Sequence, residues 1–215
     1  MAMLAWLGPE EFAQPRSKAA AFLLLNTGHH PQPDPKGVIK HNTALRGWPW
    51  AAGSHSWVEP TAMAVLALQA NGHADHPRVS EAVRMLMDRR LDHGGWNYGN
   101  TVVFGAELDP MPDATGMALA ALQGMVSRDD IQSGLDYLLP EFNQCLTPQT
   151  FSWGRLGLAA WGVPIGGIDQ KVNRILDRQA RLGSYDTSAL GQLLVALNAP
   201  EGIMGLVKKM NRGAI

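Results

Sequence analysis

The chain has 215 residues, 46% hydrophobic and 17% charged, and its 18 Lys+Arg against 19 Asp+Glu leave a net charge of -1. That balance excludes a nucleic-acid binder, which needs a basic face for phosphates. A single cysteine, Cys145, excludes a disulfide scaffold or a multi-thiolate zinc site. The length suits one domain spanning 1–215 with a sizeable core, and a cytoplasmic location fits the cysteine usage.

Arg16 and Lys18 precede an apolar run, Ala19 to Leu25. It is too short to cross a bilayer and lacks a small-residue cleavage site after it, so it reads as an ordinary helix. A long loop rich in Pro and His follows over 26–58. The next segment, between Pro60 and Ala70, carries no charge, and a helix apolar on every side is expected to be buried on every side. Then Val79, Val83, Leu86 and Met87 form one stripe backed by Arg78, Glu81, Arg84, Asp88 and Arg89, the pattern of an amphipathic helix.

The same alternation continues along the chain. A second long loop, 97–112, leads to an uncharged helix between Ala114 and Val126, and Ser127 to Leu139 reads as a shorter amphipathic helix. Ser152 to Trp161 reads as another inner helix, and Ile168 to Leu182 as a strongly amphipathic one. The segment from Thr187 to Ala199 is again uncharged, and Glu201 to Met210 reads as a last amphipathic helix. Strand signals are nearly absent. The pattern predicts an all-α fold of about four helical hairpins, with apolar inner helices wrapped by amphipathic outer ones.

The inner helices also repeat in sequence. Thr61–Gln69 returns as Thr115–Gln123 with the Thr, Met, Leu, Gln and two Ala residues kept, and each copy has a carboxylate two positions before its threonine, Glu59 or Asp113. Asp186 to Leu197 is a degenerate third copy. Side-chain oxygens at these starts are expected to cap the helices. Gly-aromatic turns are expected at Arg46–Trp50, His93–Gly99, Phe151–Gly154 and Leu182–Tyr185, where glycine lets the backbone leave an outer helix and the aromatic packs back over the helix ends.

These features together, from about Trp48 to Leu197, resemble the squalene–hopene cyclase and prenyltransferase repeat family. The closest pieces are Gly94-Gly95-Trp96 and the run from Gln179 through Gly183 to Tyr185, where Tyr stands in the family's Trp place. The resemblance implies an α/α toroid, here partial because the family's closed ring needs about six hairpins. A second copy of the chain could complete it. The implied function is action on, or binding of, a polyprenyl or triterpenoid substrate in an apolar cavity. The alternative is a non-catalytic isoprenoid-, lipid- or protein-binding module of the same fold. A hydrophobic isoprenoid is the expected partner, peripheral membrane contact is compatible with it, and no cofactor is implied.

Aligned on Thr115, the cyclases' catalytic acid segment leaves Asp113 as the matching aspartate, so the resemblance implies Asp113 as proton donor. Carbon protonation requires a carboxylic acid held protonated in an apolar pocket. The competing structural reading is helix capping, since a helix N-terminus favours the carboxylate and Glu59 occupies the equivalent position. Trp57, Trp96, Tyr98, Trp153 and Tyr185, with His55, are the candidates for lining a substrate cavity. Junction staples are the plainer reading for such aromatics, as for Trp48 and Trp50. The seven histidines lack the helical i, i+4 spacing of a metal pair, so no metal site is expected. Arg46, Arg90 and Arg155 read as anion contacts, with helix C-terminal capping the plainer reading for Arg90, and the methionines, Met63 among them, as soft core filler.

Overall fold

The computed structural model describes residues 2–5, 7–32 and 39–211; the stretch 33–38 of the expected 26–58 loop lies outside the described residues. The helices are α1 (Ala2–Ala5), α2 (Ala13–Leu25), α3 (Val58–Ala70), α4 (Pro77–Asp88), α5 (Pro112–Leu122), α6 (Arg128–Gln144), α7 (Pro148–Ala160), α8 (Ile168–Asp177), α9 (Gln179–Leu182), α10 (Thr187–Asn198) and α11 (Gly202–Asn211). Two short strands, β1 (Val102–Val103) and β2 (Ala106–Glu107), pair antiparallel within the 97–112 loop, Val102 opposite Glu107. The fold is mainly helical, as the pattern of charge predicts.

The inner helices α3, α5, α7 and α10 pack side by side in chain order, and α4 and α6 pack against them. Every residue of α5 from Asp113 to Leu122 is buried, and most of α3 and α7 is too. In α4, by contrast, only Val79, Ala82, Val83, Met85 and Leu86 are buried, the apolar stripe expected of an outer helix. The α5–α7 contact is close because glycines face it. A Cβ on Gly116 would strike the carbonyl of Trp153, and one on Gly157 would lie 2.7 Å from the carbonyl oxygen of Gly116. Backbone approach at this distance requires residues without side chains on both helices.

Long polar side chains tie the C-terminal ends of the row together. Gln69 Nε2 of α3 donates to the Ala121 carbonyl of α5 at 2.6 Å, and its repeat partner Gln123 donates to the Ala160 carbonyl of α7 at 2.8 Å. Arg155 Nε of α7 donates in turn to the Ala196 carbonyl of α10 at 2.8 Å. The last carbonyls of a helix have no partner within it, so each helix supplies one to its neighbour.

Four expectations change. Phe151–Gly154 is not a turn but lies inside α7, whose N-terminus is capped by Thr147 and opened by Pro148. The outer helix expected at Ser127–Leu139 runs on to Gln144 through Pro140, started by a Ser127–Asp130 capping box, while the one at Ile168–Leu182 breaks at Arg178 into α8 and α9. The N-caps of α3 and α5, Trp57 and Met111, make no side-chain cap; only α7 and α10 among the inner helices are capped by side chains, Thr147 and Asp186. Finally α10 is buried only at Leu193 and Ala196, and Leu194 is 62% exposed. Being uncharged makes full burial possible, but a neighbour on both sides is needed, and α10 ends the row.

The last helix, α11, packs on α7 and α3. It begins beside the end of α7, where a Cβ on Gly202 would sit 3.0 Å from Ala160, and it ends at Asn211, across a cleft from Ala70 and Asn71. It therefore crosses the C-terminal ends of the row. Among the described residues no single helix is long and apolar enough to cross a membrane.

Candidate functional site

Two Gly-aromatic turns place the N-terminal ends of α3 and α5, and they do so by one recurring set of bonds. Thr115 Oγ1 accepts from Trp96 N at 2.9 Å and donates to the Trp96 carbonyl at 3.1 Å; Thr61 does the same with Trp48, at 3.0 and 3.4 Å. The backbone N–H of each helix's N-cap residue also donates to that carbonyl, Trp57 to Trp48 at 3.1 Å and Met111 to Trp96 at 2.8 Å. The repeated threonine therefore fastens the turn rather than capping the helix.

The aromatic of each turn then reaches the end of the preceding outer helix. Trp48 Nε1 donates to the Leu23 carbonyl at 3.0 Å and Trp96 Nε1 to the Leu86 carbonyl at 2.6 Å. Tyr185 Oη donates to the Ile175 carbonyl at 2.9 Å, ten residues back, the same separation as Trp96 to Leu86. Tyr185 thus performs the tryptophan's role in the fourth hairpin. Trp96 is fully enclosed, and a Cβ on Gly134 would meet its ring at 2.7 Å. These two candidates for cavity lining have fold-stapling positions.

The remaining candidates fall in three separate places. Asp113, 8% exposed, sits in the first turn of α5. Its Oδ1 accepts from Ala114 N at 3.0 Å and its Oδ2 from Gln149 Nε2 of α7 at 2.9 Å. Glu59 and Tyr98 lie within electrostatic reach: burial and then the Asp113 charge raise the Glu59 carboxyl, and burial with Asp113 and Glu59 raises the Tyr98 phenol. The Tyr137 phenol donates to the Pro110 carbonyl at 2.8 Å in the same region, and burial, Glu141, Asp113 and Asp109 raise it. This is an acidic end to the row, tied down by hydrogen bonds.

Trp153 lies elsewhere, on the wall of an apolar cavity of about 420 Å³. Its walls are Met63 of α3, Ser152, Trp153 and Leu156 of α7, and Gly191, Gln192 and Val195 of α10; α11 contributes Leu206, Val207 and Met210, and Leu4 and Leu7 complete it. Such a volume falls in the range of about 300–1,000 Å³ used by small-molecule sites. Ser152 Oγ is buried there with no hydrogen-bond partner. Asp113 does not line this cavity. A second, more open apolar groove of about 720 Å³ runs between α2 and the 48–53 turn, past Phe22, Trp48 and Trp50, and Met63 lines both. Met63, expected as core filler, is the wall between two apolar spaces.

His55 and Trp57 line a third space, a small cavity of about 80 Å³ with His29, His30, His41 and Arg89. The sequence places five of these six residues in the one 26–58 loop and Arg89 at the end of the helix that follows α3. The only hint was the density of histidine in 26–58. The arginines have different partners from those expected: Arg46 pairs with Glu81 at 2.8 Å, and Arg90 donates to the Asp130 carbonyl of α6 rather than closing its own helix. Among the described residues, no group of three or more His, Cys, Asp or Glu side chains is placed to hold a metal ion.

Comparison of the chain with protein-family models, with curated proteins and with solved structures gave no match.

Proposed function

We propose that this chain is a partial α/α toroid of the squalene–hopene cyclase and prenyltransferase repeat type, and that it binds an isoprenoid or similar apolar chain without acid-initiated chemistry. The observation that carries this reading is the apolar cavity between α3, α7, α10 and α11, lined by Trp153 and Met63 but not by Asp113. A proton donor has to reach the alkene it protonates, within hydrogen-bond distance of the reacting group. Asp113 instead spends both oxygens on Gln149 and Ala114. The unpartnered Ser152 hydroxyl supplies one polar anchor, which suits a chain ending in an alcohol or carbonyl.

The test is a titration with geranylgeraniol and, for comparison, with a straight-chain alcohol of similar length. Gly191 lines the cavity, and a Cβ there meets nothing within 4 Å, so Gly191→Phe fills the space without a backbone clash. Saturable binding by the parent, weakened at least about tenfold in Gly191→Phe and unchanged in Asp113→Asn, is expected. Absence of saturable binding, or binding indifferent to Gly191→Phe, overturns the proposal. Conversion of squalene that disappears in Asp113→Asn would establish acid-initiated catalysis in its place.

A further inference from the structure

The small cavity under the 26–58 loop gathers four of the chain's seven histidines beside Arg89, with Ile39 and Trp57 completing its walls. It is built by three loop segments and the end of α4. His29 N donates to the Ser54 carbonyl at 2.8 Å, and His30 Nε2 shares a 2.8 Å hydrogen bond with Ser56 Oγ, which also accepts from Gly47 N at 3.0 Å. Thr43 Oγ1 donates to the Pro31 carbonyl at 2.9 Å, and Asn42 N donates to Asp88 at 2.9 Å. The His29 and His55 rings meet edge to face, 6.0 Å apart. The walls are thus positioned before any ligand arrives.

Arg89 is the central group. Only 5% of it is exposed, one of its terminal nitrogens donates to the Gly99 carbonyl at 2.8 Å, and its Nε has no hydrogen-bond partner. The Asp88 carboxylate lies 3.4 Å from that Nε and is held by Asn42. His41 Nδ1 is likewise buried without a partner. Asp88 balances the guanidinium on its Nε side, and Arg89 also lines the cavity, where no carboxylate faces it. The residues lining the cavity include Arg89, four imidazoles, Thr43, Ser56 and Asn100, and no carboxylate.

We infer that this cavity is a binding site for a small oxyanion, a phosphate or a carboxylate, held by Arg89 with His41, His55 and Asn100. The cavity volume of about 80 Å³ exceeds what a single water needs, about 10–15 Å³ on the same kind of measure, and suits one compact anion. Arg89 supplies the charge. Burial, followed by the Arg89 and His55 charges, lowers His41 to about 4, so at neutral pH its ring offers an uncharged N–H. Nitrogen donors arranged around one small space, without a carboxylate among them, match the acceptor-only surface of an oxyanion. The site is independent of the apolar cavity and of Asp113.

The experiment records the imidazole nitrogen signals of the full chain while inorganic phosphate, and separately acetate, is added against chloride at matched ionic strength. His41 and His55 signals, assigned with His41→Asn and His55→Gln, are expected to shift saturably, while those of His73 and His76 stay in place. Arg89→Lys keeps a positive charge but loses the fork, and should weaken binding about tenfold. His55→Gln changes an exposed ring and serves if the Arg89 variant fails to fold; it should weaken binding several-fold. Tighter binding of phosphate than acetate identifies a tetrahedral oxyanion, and the reverse a carboxylate. Shifts that chloride reproduces, shifts spread over all seven histidines, or affinity unchanged in both variants would overturn the site.

Discussion

Thr115 and Trp96 close a two-bond clamp, the threonine hydroxyl accepting from the tryptophan N–H at 2.9 Å and donating to its carbonyl at 3.1 Å. Both residues are fully buried, so neither backbone group has water as an alternative. Thr115→Val keeps the shape and removes both bonds. The Trp96 carbonyl keeps the Met111 N–H, so the variant strands the buried Trp96 N–H alone and should cost about 1–3 kcal/mol of folding stability. Thr61→Val should cost a similar amount at Trp48. Urea unfolding of the two variants checks this; a loss below about 0.5 kcal/mol in either would mean that the clamp is incidental.

Tyr185 stands where the resemblance puts a tryptophan and makes the same bond to the outer helix. Tyr185→Phe should cost about 0.5–1.5 kcal/mol, since it removes the phenol's bond to the Ile175 carbonyl, which keeps only the Arg178 N–H at 3.3 Å. Trp96→Phe removes the corresponding bond to Leu86 together with part of a fully enclosed indole, and should cost more. A Tyr185→Phe variant as stable as the parent, measured by thermal or urea unfolding, would contradict the equivalence of the two turns.

Glu59 gives the row of helices a dependence on pH. Burial, with Asp113 close by, raises its carboxyl above the ordinary 4.5. The folded state then holds a proton over a range in which the unfolded chain has released it, so stability falls as pH rises through that range and stays reduced above it. Glu59→Gln should therefore raise the melting temperature at neutral pH and lose its advantage below the ordinary carboxylate range. A variant less stable than the parent at neutral pH would show that the carboxylate is needed.

What was legible in sequence was whatever demanded a particular residue. Thr61 and Thr115 recur because a hydroxyl must both accept and donate at the turn, and Gln69 and Gln123 because an amide must reach the next helix. The uncharged and striped helices announced their layers for the same kind of reason. The aromatic-glycine pair in Phe151–Gly154 misled because it serves equally inside a helix, where Gly154 makes room for Phe142 and Trp153 faces the cavity. Composition could not show that α10 has a neighbour on one side only. Nor could it gather His29, His41, His55 and Arg89, since that cluster depends on how the 26–58 loop folds over the end of α4.

The measurement that bears most directly on the bound apolar chain is methyl NMR on methionine-labelled protein saturated with geranylgeraniol. Met63 and Met210 line the cavity, Met85 and Met117 are enclosed in the core, and Met111 is on the surface. Intermolecular contacts from the ligand to the Met63 and Met210 methyls, absent at Met85 and Met117, are the predicted result. Contacts confined to Met111, or none at saturation, would contradict the placement of the ligand between the inner helices.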